Sequence, residues 1–386
     1  MQREVVIGNS ESVPKDVDVA RSTASGYLVA WSADGETVAA GLEPESLRVA
    51  WRQRVDRFRS PATDTRDDET PKTFWPESRR LSPDSEDLAV LALPGGRQAV
   101  AMLERPTGAL PGGAYLALID PPPASRVEVV RVGPTWPFAS RIDAAVSNEQ
   151  IFVAWHEGQP DLSRVRLAVV DASTSQVVRQ GAIPGDLALS GPALAAGPKG
   201  TAVAWTRTSH QGGSPRSEVR AARLTGDLAV GKATVVASCR YLDPAPHLVA
   251  LGDRFGLAYR DDADDDDKPE FYFAVLDGAG RVVEGPTRIS RADGFQGPSL
   301  SGSERLVYSA AIRSFQRNYL VGLNRFDLAG VKRGGEFQVY ADKSDFIRVA
   351  IEARGSDVVL VYGEDRRGRG RVLASRVICQ DGGASP

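Results

Sequence analysis

Apolar and polar residues alternate along this chain in short runs with a period of two. Thr201–Leu224, TAVAWTRTSHQGGSPRSEVRAARL, is representative: an apolar run ends at Trp205, a polar stretch containing two glycines follows, and a second alternating run returns. Alternation of this period puts every second side chain on one face of an extended strand. The Gly-, Asp- and Pro-bearing breaks between runs mark turns. No segment sustains the apolar spacing of an amphipathic helix, so the pattern predicts an all-β chain.

The same grammar recurs. Markers of the VAW type end at Trp31, Met102, Trp155, Trp205, Tyr259, Ala311 and Tyr362, at successive intervals of 71, 53, 50, 54, 52 and 51 residues. Ahead of each marker lies a short apolar strand, as in GPALAAG, APHLVALG and GPSLSG. Behind it come a polar loop, an alternating strand such as EFYFAVLD, a tight turn and a last strand such as KATVVAS. Four antiparallel strands per unit of this length are the signature of a β-propeller blade. Seven units predict a seven-bladed β-propeller in which each amphipathic sheet is buried between its neighbours. The last unit stops after its third strand, RVLASRVIC, whereas the chain opens on an orphan strand, REVVIG. The N-terminal strand is therefore expected to complete the last blade and leave no open edge. One domain, residues 1–386, is expected, with a long inter-blade insertion at about 56–87.

Over nearly its whole length the repeat resembles the β-propeller superfamily. WSADGETVA (31–39) and LSPDSEDLA (81–89) echo the SPDG phrase of TolB-like propeller repeats, at different positions of the blade. SADGET is similar to the Asp-box of sialidase-like propellers, short by one residue. The GH…WD pairing of WD40 repeats and the double glycine of kelch repeats are absent, so no specific family follows.

Composition narrows the function classes. Charged residues make up 25% of the chain and the net charge is −3, which favours neither nucleic acid nor an anionic membrane as partner. Of the 47 basic residues 40 are Arg, a usage that hints at a GC-rich bacterial genome. No apolar run is long enough to span a membrane as a helix. The first 20 residues contain no apolar signal-peptide core. By analogy with bacterial propellers whose export signal has been trimmed, a periplasmic or extracellular location is expected, with a lipid anchor on the precursor as one form of it. Cys239 and Cys379 fall in separate repeats and are expected to be free thiols. There is no G-x-S-x-G elbow, P-loop, dinucleotide fingerprint or CxxC pair, and no aromatic–basic interleaving.

In a propeller the loops joining second to third strands share a face with those joining blade to blade. Here that group is long and polar: 156–164, 206–218, 260–270, 312–318 and 363–370. It marks the expected functional face. Asp262, Asp264, Asp266 and Glu270 match positions 1, 3, 5 and 9 of a calcium-loop spacing, though Asp267 stands where glycine is expected and Phe273 where a bidentate Glu is. A solvated acidic loop tip fits the same residues. Arg313, Arg317, Arg366, Arg367, Arg369 and Arg371 make the neighbouring sectors basic, which suits a charged partner or a carboxylate-bearing glycan. His156, His210 and His247 fall on the same face and, with Glu157, could form a metal or acid–base site. Phe74 and Trp75 in the insertion, and Trp136 between blades, are candidate partner or sugar contacts. Trp31, Trp155 and Trp205, by contrast, repeat at matching positions and are read as inter-blade packing. The leading expectation is a non-catalytic binding or scaffold module for a protein or glycan. A hydrolase or lyase on the same face and a calcium-stiffened adhesion domain are the alternatives.

Overall fold

The computed structural model describes residues 3–379 except 12, 23–25, 34–35, 56–86, 105–111, 121–125, 137–138, 159–162, 185–188, 210–215, 241–245, 262–269, 292–298, 303–305, 316–317, 341–344 and 367. The insertion Asp56–Arg80 and its continuation to residue 86, with Phe74 and Trp75, thus lie outside the described residues.

Seven four-stranded antiparallel sheets follow one another along the chain, the seven blades of a β-propeller. Their innermost strands are Asp16–Ser22, Leu88–Ala92, Ser140–Ser147, Leu189–Gly197, His247–Leu251, Ser299–Gly302 and Asp345–Arg354. In blades one to six the chain then steps outward strand by strand. Blade seven is completed by the other end of the chain: Arg3–Ser10 pairs antiparallel with Arg369–Ile378, setting Val5 opposite Ala374 and Arg3 opposite Arg376. Side chains reinforce this closure, since the Tyr362 hydroxyl bonds Glu4 at 2.6 Å and Ser375 at 2.9 Å.

The core is divided into seven slabs, one at each junction between blades. This follows from the two-residue period. In blade one Leu28 and Ala30 face blade two, while Val29 and Trp31 face blade seven. Trp31, Trp155 and Trp205 each pack on the preceding blade and are at most 3% exposed, in agreement with their periodicity. Two of these indoles need a glycine beneath them. A Cβ on Gly8 would lie 2.8 Å from Trp31, and one on Gly133 would lie 2.4 Å from Trp155. Cys239 is buried and Cys379 half-buried, and neither is in a disulfide.

Several expected loops are shorter than their polarity suggests. Strands run on to Ser209 and restart at Arg216, end at Phe315 and restart at Asn318, and end at Arg366 and restart at Arg369. Beyond the packed ring both faces of a hairpin meet water, so its sequence turns polar while its backbone ladder continues. Polarity reports solvation here, not irregular backbone.

Candidate functional site: the mouth of the central channel

The register locates the site. Asp16, at the start of its inner strand, lies opposite Ser32, and Ser140 lies opposite His156. The inner strands therefore begin on the face that carries the second-to-third-strand hairpins, the face singled out by sequence. At that end is a cavity of about 110 Å³ lined by Asp16, Asp18, Asp87, Arg141, Asp143 and His247, together with Arg348 and Ser299. This volume holds several waters.

An innermost strand has one edge with no strand beside it, and its N–H groups need acceptors. Side chains of the preceding blade supply them. Asp16 accepts from its neighbour Val17 at 2.9 Å and from Leu88 of blade two at 2.7 Å. Asp18 accepts from Val19 at 2.8 Å and from Val90 of blade two at 2.7 Å. Asp87 takes the Ile142 N–H of blade three at 3.1 Å. Asp143 takes Ala144 at 2.8 Å and Leu194 of blade four at 2.7 Å. Further round, His247 Nδ1 accepts from Leu300 at 3.2 Å, and Ser301 Oγ accepts from Ala353 at 2.9 Å. At the closing junction Arg348 donates to the Lys15 carbonyl at 3.1 Å and stands 3.6 Å from Asp16. The carboxyls are thus fixed in place and stitch blade to blade.

Their electrostatics are displaced from the ordinary range. Burial is the main cause for each. The Asp16 carboxyl is raised well above its usual value by burial and then by the adjacent Asp87, with which it shares a hydrogen bond; Arg348 opposes the rise. Asp18 is pushed up to about 8 and Asp143 to about 7, each against two backbone donors that favour the charged form. His247 is pushed down to about 4 by burial and then by Arg141, so its ring is neutral and Nδ1 is free to accept. Deeper in the channel, burial raises Glu352 to about 7. The mouth therefore combines carboxyls held above their usual range, a carboxyl pair in hydrogen-bond contact and two arginines.

Of the residues singled out in the sequence, His247 is the one brought to this cavity. His156 is 8% exposed, clasped between Ser140 Oγ at 2.7 Å and Ser163 Oγ at 2.5 Å. Glu157 is buried and paired with Arg166 at 2.9 Å. His210 lies outside the described residues, as do Asp262, Asp264, Asp266, Arg317 and Arg367. Glu270 is engaged by Arg288 at 2.7 Å and by the Tyr272 hydroxyl. Among the described residues no group of three or more His, Cys, Asp or Glu side chains is arranged to hold a metal ion. Arg313 lies in a strand, Arg366 and Arg369 are exposed at a hairpin tip, and Arg371 pairs with Glu364. Trp136 stands exposed on the inter-blade segment before Ser140. The sequence reading missed Asp16, Asp18, Asp87 and Asp143. The signal for three of them is the alternation DVDVA at 16–20 and RIDAAV at 141–146, where charged residues take alternate positions of a strand that is small and apolar in blade four.

No protein-family model and no curated protein matches the chain. Among solved structures it is similar to Trypanosoma rangeli sialidase in complex with sialic acid, with a TM-score of 0.48, 10% identity, and coverage of 76% of this chain and 54% of that one. It is similar to the parainfluenza virus 5 hemagglutinin-neuraminidase ectodomain at 0.47 and 10%, covering 76% and 81%. An exo-1,5-alpha-L-arabinanase from a bovine ruminal metagenomic library matches at 0.34 and 13%, covering 68% and 95%. The chain spans about half the length of the sialidase chains it matches. At these identities the likeness describes the fold. The expectation of a non-catalytic binding or scaffold module is corrected: it stands against the names of these structures, which are sialidases, arabinanases and a neuraminidase, and it is not carried further. The convergent ionisable groups sit at the channel mouth, on the inner strands, and not on the loop tips where a docking surface was expected.

Proposed function

We propose that the protein is a carbohydrate-active hydrolase acting at the channel mouth. The observation that carries this reading is the cavity itself: a carboxyl kept protonated near neutrality stands in the same wall as a carboxyl pair in mutual contact. Glycoside cleavage needs those two states together, one group to protonate the leaving oxygen and one to carry negative charge against the sugar cation or its attacking water. We assign Asp18 to the first role and the Asp16–Asp87 pair to the second. Burial and then the adjacent Asp87 hold the Asp16 carboxyl well above its usual range. Arg141 and Arg348 offer donors to substrate oxygens. Backbone N–H bonds hold the carboxyls without help from the substrate, the preorganisation that such chemistry requires. The names of the sialidases and arabinanases it is similar to suggest the substrates to try first.

The test is a panel of 4-methylumbelliferyl glycosides, including the α-L-arabinofuranoside and the sialoside, assayed with the wild type, Asp18→Asn and Asp87→Asn. At least one glycoside is turned over by the wild type, with kcat at least a hundredfold lower in both variants. Activity also falls as the pH passes about 8 and the Asp18 proton is lost. Absence of turnover across the panel, or an Asp18→Asn enzyme as fast as the wild type, overturns the proposal.

A further inference from the structure

Trp136 is 44% exposed, whereas Trp31, Trp155 and Trp205 are at most 3% exposed. Its exposure is not that of a frayed loop, for the described residues before and after it are hydrogen-bonded. The preceding carbonyls and hydroxyls are engaged: Trp155 Nε1 donates to the Pro134 carbonyl at 3.1 Å, and Thr135 Oγ1 donates to the Glu104 carbonyl at 2.6 Å. The Trp136 N–H itself donates to the Glu157 carbonyl at 3.0 Å, and its carbonyl accepts from Ala139 at 2.9 Å. Thr135 and Ala139 are buried. A large apolar ring is thus held in water by a hydrogen-bonded residue instead of packing between blades.

Its position relates it to the cavity. The Ala139-to-Trp136 bond keeps those two Cα atoms within about 7 Å. Two more residues reach Arg141 on the cavity wall, so Trp136 stands no more than about 14 Å from it. Trp136 lies outside the residues that line the cavity, and a short oligosaccharide seated there covers the distance to it.

We infer that Trp136 is the platform for an outer sugar of the bound glycan, stacking its indole on the apolar face of a ring that lies beyond the one held in the cavity. The inference rests on the carbohydrate reading above and adds a chain-length preference to it. Stacking against an aromatic face contributes about 0.5–1.5 kcal/mol, so loss of the indole weakens binding of a long substrate by about 2- to 12-fold.

The experiment compares wild type, Trp136→Ala and Trp136→Phe on two probes of the sugar that the panel identifies: its 4-methylumbelliferyl monoglycoside and its linear tetrasaccharide. Trp136→Ala raises KM for the tetrasaccharide by that factor with kcat unchanged and leaves kcat/KM for the monoglycoside alone; Trp136→Phe recovers part of the loss. An unchanged tetrasaccharide KM overturns the inference while the hydrolase reading stands. Equal losses on both probes overturn it too, because the indole would then serve the cavity or the fold. A wild type inactive on every probe removes the hydrolase reading and this inference with it.

Discussion

Raising the pH from 6.5 to 9 should destabilise the ring, and Asp18 should carry a measurable share of the loss. Its carboxyl stands at about 8 in the folded protein against 3.8 in a free chain. The folded state therefore holds a proton that the unfolded chain has released, and stability falls as the pH rises through the folded value. His247 works in the opposite direction: lowered to about 4 from 6.5, it withdraws stability only as the pH drops below 6.5. Working above that point isolates the carboxyls. At 1.36 kcal/mol per pH unit, Asp18 contributes about 2 kcal/mol of loss between pH 6.5 and 8, and Asp143 and Glu352, both at about 7, add under about 1 kcal/mol each. Each side chain is partly open to the channel, so screening reduces the total to roughly 2 kcal/mol. The assay is urea unfolding at fixed ionic strength in half-unit pH steps, read by tryptophan fluorescence. The midpoint falls from pH 6.5 to about 8 and then levels. In Asp18→Asn, which carries no charge at any pH, the curve is flatter by the Asp18 share even though its absolute stability is lower for want of one acceptor. A midpoint that is constant or rises over this range refutes the reasoning, for it would mean that the backbone donors of Val19 and Val90 outweigh burial and keep Asp18 ionised.

Two further outcomes test the packing. Gly133→Ala pushes a methyl group into the Trp155 ring, with 2.4 Å between the atoms before relaxation, and should lower stability by about 1–3 kcal/mol in denaturant unfolding. Tyr362→Phe removes the hydroxyl that joins Glu4 and Ser375 at the ring closure, and should cost about 1–2 kcal/mol and speed amide exchange in residues 3–10 ahead of the other outer strands.

The repeat made the fold legible. A VAW marker at a near-constant interval carries the blade count, and an orphan REVVIG at one end with a blade missing a strand at the other carries the closure. The tryptophan periodicity carries the inter-blade packing for the same reason, because identical units bury identical positions. The site was legible only as a face. Repeats reveal what their copies share, whereas Asp16, Asp18, Asp87 and Asp143 fill positions that other blades give to small or different residues. Their significance depends on seven inner strands converging on an axis, which no local window displays. The polar hairpins 206–218 and 363–370 misled for a related reason: they drew attention to the longest hydrophilic stretches, while the convergent acids are single letters set among valines and alanines.

The partnership of Arg3 with Arg376 bears on the order in which the molecule comes into being. During synthesis the first strand emerges long before the hairpin it must join, and every intermediate length of nascent chain carries a waiting strand and an unfinished circle. Local hairpins can form as they appear, but the final lock is a contact of very high sequence separation, the kind that slows folding and exposes sticky edges meanwhile. A ribosome-stalled chain ending before residue 369 should therefore remain protease-sensitive at both of its ends, and release of the last hairpin should protect them together.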